Sequence, residues 1–432
     1  MEQAGLRAES VDAMALPEQL VRCRQATLDL VEGLTEADAT VQSMDDASPA
    51  KWHLAHTTWF FEEFVLGAYL PTHQPVDPRY RFLFNSYYEA VGPRQPRPLR
   101  GMLTRPSLAE IVDYRCRVDD GLERLLCGGA LPEAALALIE LGIQHEQQHQ
   151  ELILTDLLHL FSMNPLRPAY RVAATAAADG GTVAVAASHA AWIGFDGGCF
   201  RVGHTGSGFS FDCERPAHQV MLVPYAPASR PVTNREWLDF IADGGYRTPS
   251  LWLSDGWARV RAEDWQAPLY WEQRDRHWLQ MTLAGERPLD LDAPVAHLSY
   301  FEADAYARWA GARLPTEFEW EAAARAQPVA GNFASSGLFR TRPASRDGQA
   351  PLRQLYGDVW EWTSSAYAAY PGFRTAAGAV GEYNGKFMCG QYVLRGGSCA
   401  TPDGHLRATY RNFFYPHQRW QFSGLRLARD RG

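Results

Sequence analysis

Apolar side chains recur at three- and four-residue intervals through the first third of the 432-residue chain and then lose that period. Residues 16–35, LPEQLVRCRQATLDLVEGLT, carry the spacing of an amphipathic helix. In the next stretch, DDASPAKWHLAHTTWFFEEFVLGAY, Ser48 is placed to cap a second helix, Pro49 suits its first position, and the apolar stripe runs to about Leu66. A Pro- and Arg-rich loop without periodicity fills roughly 71–106. Ser107 followed three residues on by Glu110 forms a capping box, and the helix it opens stops at Gly128-Gly129. A fourth helix, from about Pro132 to Phe161, contains HEQQH. Four helices with a long excursion between the second and third predict a four-helix bundle with one crossover.

Residues 171–190 consist almost wholly of Ala, Gly, Val, Thr and Ser and read as a linker or weak strand. Beyond them come short apolar and aromatic runs broken by Gly, Pro, Asn and Asp, with helices expected at about 300–311 and 316–325. The expected organisation is therefore a helical bundle over 1–170, a linker over 171–190, and an α+β domain over 191–432.

Composition narrows the function classes. Hydrophobic residues make up 46% and charged residues 21%, the balance of a globular protein. A formal net charge of −9 argues against sequence-independent nucleic-acid binding. No apolar run approaches the roughly 18 residues that span a bilayer, so no membrane partner is expected. The N-terminus, MEQAGLRAES, lacks the apolar core of a secretory signal. Seven cysteines, never spaced as C-x-x-C, fit reduced thiols, and the expected location is the cytoplasm.

His145 and His149 stand four apart on the fourth helix, so their rings point within about 40° of each other, one turn apart. Two imidazoles at this spacing grip a transition metal. His53 and His56 lie on the second helix, which can face the fourth inside a bundle, and spacing leaves either one open as a third ligand. The same string satisfies H-E-x-x-H, in which Glu146 would be the general base of a zinc hydrolase. Such enzymes take a further ligand downstream, and His159 lies too far along the helix to serve. Three neutral imidazoles without a carboxylate leave other coordination positions open, where iron(II) can take up dioxygen and a soft thiolate or selenolate.

The segments LAH (54–56), HEQQHQE (145–151) and FNSYYEAVGPR (84–94) resemble the ergothioneine-type sulfoxide synthases, EgtB-like enzymes with a DinB-type bundle in front. RLPTEFEWEAAAR (313–325), GDVWEWT (357–363), VLRGGSC (393–399) and FSGLRLA (422–428) resemble the formylglycine-generating-enzyme fold, a C-type-lectin-like α+β domain. Read as residues alone, Trp320, Trp360 and Trp362 are core aromatics with polar handles. Formylglycine-generating enzymes that use oxygen carry a cysteine pair after the RGGS motif. Here Cys399 has no second cysteine in the stretch that follows, which argues against that reaction.

The resemblance implies His56, His145 and His149 as ligands of Fe(II), with dioxygen as co-substrate. It implies Gln148 and Asn412, the latter in YRNFF (410–414), as binders of hercynine, the trimethylated histidine. Members that use γ-glutamylcysteine carry Trp-Asp after that Asn, with an Arg four residues beyond the Asp. Phe413, Phe414 and Gln418 stand there instead, which points to cysteine, or to the selenosugar of the sibling selenoneine synthases, as donor. Tyr87 and Tyr88 occupy the place of a catalytic tyrosine pair in the cysteine-using members. Of Arg94, Arg97 and Arg100 in the same loop, Arg97 is assigned to a substrate carboxylate. The rival readings are the zinc hydrolase and a non-catalytic C-type-lectin-like binding module.

Overall fold

The computed structural model describes residues 15–171, 190–345, 351–376 and 378–431. Four helices form the bundle: α1 (Leu16–Val31), α2 (Ala50–Phe60), α3 (Leu108–Cys127) and α4 (Glu133–Met163). The predicted capping box at the start of α3 is present, with Ser107 accepting from the Glu110 N–H and the Glu110 carboxylate accepting from the Ser107 N–H. Ser48 does not cap α2. Pro49 occupies the cap position, and the Ser48 N–H and hydroxyl turn inward to Asp156 and Arg100 instead. The helix continues past Phe60 as a π-helical turn over Phe61–Leu66.

The approach of α2 to α4 depends on a missing side chain. A Cβ on Gly142 would lie 2.5 Å from the Phe61 ring. Glycine there lets the two helices close one turn before His145. The excursion from 70 to 107 is mostly irregular, as expected, but holds a short helix at Tyr80–Leu83 and a 3₁₀ turn at Arg97–Met102.

The expected linker lies outside the described residues except at its ends. The second half carries eleven short strands among the described residues. Its central sheet is built from β1 (Trp360–Ala366), β2 (Tyr392–Arg395), β3 (Asn412–Phe414) and β4 (Ser423–Gly424), in the order β4–β1–β2–β3. Trp360–Ala366 pairs antiparallel with Tyr392–Arg395, which pairs antiparallel with Asn412–Phe414, while Ser423–Gly424 runs parallel to Trp360–Ala366. Helices α7 (Tyr300–Trp309) and α8 (Glu317–Ala324) match the two predicted. Two others were not predicted: α5 (Asn234–Ala242), opened by a Thr233/Glu236 capping box, and α6 (Ser254–Ala262).

Trp320, Trp360 and Trp362 are buried, and each indole N–H has an acceptor: Glu361, Glu151 and the Leu298 carbonyl. The Glu151 bond crosses from one half to the other. Thr401 and Ser398 donate to the same carboxylate, so motifs of the second half dock directly on α4. Met281, Leu283, Cys399 and Phe422 complete the apolar core of the bundle from the other side. All seven cysteines are free, and among the described residues no helix is long and apolar enough to cross a membrane.

Candidate metal centre

The ring nitrogens of His56, His145 and His149 include one from each residue lying within 4.8 Å of one another, and all three residues are buried. His56 Nε2 and His145 Nε2 are 3.2 Å apart. His56 Nδ1 is 2.5 Å from the Phe84 carbonyl oxygen. A carbonyl only accepts, so the His56 proton sits on Nδ1 and the Nε2 lone pair faces its neighbours. Trp52 stacks on the same ring at 4.7 Å and 12°, fixing its plane.

His53, the alternative left open by spacing, stands one step back. Its Nε2 is 3.0 Å from Asp156 Oδ2 and its Nδ1 is 2.8 Å from His149 Nδ1. With the Nε2–H of His53 directed at the Asp156 carboxylate, its Nδ1 is placed to accept from the His149 Nδ1–H. That leaves the His149 Nε2 lone pair free to bind a metal. Asp156 is itself held by the Ser48 N–H at 2.8 Å and by the Trp420 indole N–H at 3.0 Å.

Burial keeps the three imidazoles neutral. It pushes His145 down to about 4, and it holds His56 and His149 well below the ordinary histidine range, with the His145 ring adding to the effect on both. Neutral rings with converging lone pairs, and no carboxylate among them, form a donor set that fits a divalent transition metal.

Glu146 points elsewhere. Its carboxylate accepts from Arg24 at 2.9 Å, Thr27 at 2.6 Å and Arg115, all of them buried. Burial raises its pKa, but the two guanidiniums outweigh that and leave it lowered. A carboxylate locked in this way on the opposite side of α4 cannot serve as the general base of a zinc hydrolase, and that rival fails. His159 also turns away, with Nδ1 2.7 Å from the Ser43 hydroxyl.

His145 and His149 open into a cavity of about 220 Å³ between the two halves. Gln148, Asn412, Phe413, Phe414, Tyr87 and Arg97 all line it. Tyr88 does not. It is buried behind Tyr87, its hydroxyl 3.2 Å from that of Tyr87. Burial pushes both phenols up. Tyr383, absent from the sequence reading, stacks on Tyr87 at 5.2 Å and also lines the cavity. Phe413 stacks on Tyr367 at 4.1 Å, and Phe414 packs edge-on against Trp420. Gln418 accepts the Tyr415 N–H.

Arg97 sits at the exposed rim, whereas Arg100 is buried in the wall. The Arg100 guanidinium lies 3.4 Å from the Trp52 ring centroid and donates to Ser48 and Ser86 hydroxyls. Among the described residues no carboxylate pairs with it. Burial, with Arg97 beside it, holds its pKa well below the usual arginine value. A buried guanidinium without a direct ion-pair partner, on the wall of a cavity, has the donors to pair with a ligand carboxylate. Sequence offered three arginines in one loop and no signal to separate them.

Two family descriptions match the chain. The DinB superfamily matches residues 19–153, and the sulfatase-modifying factor enzyme 1-like domain matches residues 181–349 and 331–431. The chain is 35% identical to the hercynine oxygenase of Mycobacterium tuberculosis, over 96% of this chain and 100% of that protein. It belongs to the hercynine oxygenase family. The hercynine oxygenase of Mycolicibacterium smegmatis is 34% identical over 96% of this chain and 98% of its own length. Among solved structures, PvdO from Pseudomonas aeruginosa is 19% identical with a TM-score of 0.38, covering 57% of this chain and 100% of that one. The architecture is thus a DinB-like four-helix bundle followed by a formylglycine-generating-enzyme-like, C-type-lectin-like α+β domain.

Proposed function

We propose that this chain is a non-haem iron(II), oxygen-dependent enzyme that joins sulfur or selenium to imidazole C2 of hercynine, in ergothioneine or selenoneine formation. The observation that carries the reading is the cluster of three neutral imidazoles, two of which, His145 and His149, open into a cavity whose far wall comes from the second domain. Membership of a family whose curated relatives are hercynine oxygenases supports the substrate.

His56, His145 and His149 are the metal ligands, and the formylglycine-like domain completes the substrate site. Bound iron(II) supplies open positions where dioxygen and a soft chalcogenolate are held together. Gln148 and Asn412 hold hercynine. Arg100, in place of the rim residue Arg97, takes a substrate carboxylate through charge-assisted hydrogen bonds. Tyr87, facing the cavity with Tyr88 behind it, holds a proton on a phenol whose pKa burial has raised, and is the hydroxyl available to move it. Phe413 and Phe414 exclude water from the wall. Phe414 and Gln418 line the cavity where the γ-glutamylcysteine-using members carry an Asp and an Arg, which favours cysteine or a selenosugar as donor.

The test is an assay of protein loaded anaerobically with iron(II), given hercynine, dioxygen and each of cysteine, γ-glutamylcysteine and a selenosugar. A C2-substituted hercynine from cysteine or the selenosugar, with oxygen uptake in step, is expected. No product with any donor would sink the reading, and a product formed without oxygen would replace it.

A further inference from the structure

Gln148 carries one buried polar atom without a partner, its side-chain oxygen Oε1. The other end of the amide is engaged: Nε2 donates to the Tyr410 hydroxyl at 2.8 Å. That hydroxyl lies 3.1 Å from His405 Nε2, and His405 Nδ1 lies 3.1 Å from Gln147 Oε1. The Gln147 oxygen can only accept, so His405 carries its proton on Nδ1. Its Nε2 then accepts from Tyr410, and the phenol oxygen is left to accept from the Gln148 amide. Burial, with Arg407 nearby, pushes His405 down to about 3, so the ring stays neutral. Every bond along Gln147–His405–Tyr410–Gln148 therefore has a fixed direction, beginning and ending on α4 and passing through the second domain.

The free end is an acceptor on a residue that lines the cavity with His145 and His149. A buried acceptor without a partner calls for a ligand or a water. We infer that Tyr410 and His405 are positioning residues: they turn the Gln148 amide so that its oxygen, not its N–H, is offered to the substrate imidazole.

The inference rests on the hercynine reading and deepens it. In hercynine the ammonium is quaternary and the carboxylate is ionised, so the imidazole N–H is the molecule's N–H donor. A ring held through that N–H keeps its second nitrogen's lone pair free. C2 lies between the two nitrogens, so holding both decides which way C2 faces. If Tyr410 lost its acceptor, its proton would turn to Gln148 Oε1 and the amide would present an N–H, which repels the substrate N–H.

The test is calorimetric titration of protein loaded anaerobically with iron(II), using hercynine and hercynine methylated on a ring nitrogen. Wild type is expected to bind hercynine about tenfold more tightly than the methylated form, the size of one neutral hydrogen bond. Tyr410→Phe and His405→Leu are expected to bind hercynine about tenfold more weakly and to lose the preference, with iron uptake unchanged. His405→Gln, which can accept from Tyr410 and donate to Gln147, is expected to restore both. Unchanged affinity and preference in Tyr410→Phe and His405→Leu would overturn the inference. So would lost iron uptake in both, which assigns the chain to structure, or His405→Gln no better than His405→Leu. Wild type that takes up iron and does not bind hercynine sinks the functional reading itself.

Discussion

Helix α4 presents two buried polar faces whose residues alternate along HEQQHQ, and they are opposites. On one, Glu146 and Gln150 are saturated: Arg24, Arg115 and Thr27 close on the carboxylate, and the Gln150 amide donates to Thr27 and the Cys23 carbonyl. On the other, His145 and His149 are uncharged and face a third imidazole with lone pairs unspent. Both faces are equally inaccessible to solvent, so burial does not separate them. Completeness does. A finished set of partners reads as structure, and a buried set left open reads as a site.

Three substitutions break or sharpen that contrast. The largest effect is expected from His145→Ala, which removes a ligand from the open face. Stoichiometric iron(II) binding should disappear in metal analysis after anaerobic loading, while urea melts of the metal-free protein change less than for the closed face. Retained stoichiometric iron would refute the ligand assignment. Next comes Glu146→Gln, which leaves Arg115 buried without its anion and Arg24 with Asp119 alone, and should lower stability by about 3–5 kcal/mol in the same melts. A Glu146→Gln protein as stable as wild type would show that the closed face is not a stabilising ion network. The smallest is His53→Leu, which unties His149 Nδ1 without removing a ligand. Iron affinity should fall about 10–100-fold, with the three ligands still present. An unchanged affinity would mean that His149 is oriented without the relay.

The closed face was not legible in HEQQH, which spells a protease motif as readily as an iron site. Only the positions of Arg24 and Arg115, on two other helices, decide where Glu146 points. The helix spacing that pairs His145 with His149 was legible because 3.6-residue periodicity is local. His53 and His56 were not separable, because three residues apart on one helix both face α4 and their roles turn on Asp156 and Phe84. Arg94, Arg97 and Arg100 were not separable for a similar reason, since the burial of Arg100 depends on how an aperiodic loop folds over Trp52. The missed helix α5 is different: Thr233 and Glu236 gave a capping-box signal in the sequence, and the short, aromatic run after it hid the helical period.

Asp156 is where the two halves meet the candidate metal centre, and the order of its partners along the chain sets an order in time. Ser48 and His53 precede it, while Trp420 stands near the far end of the 432 residues. A ribosome therefore delivers all three histidines and their support long before the indole that closes Asp156. During synthesis the candidate centre passes through an interval in which its three imidazoles exist and their cover does not, so a metal ion arriving then would meet no wall to cross.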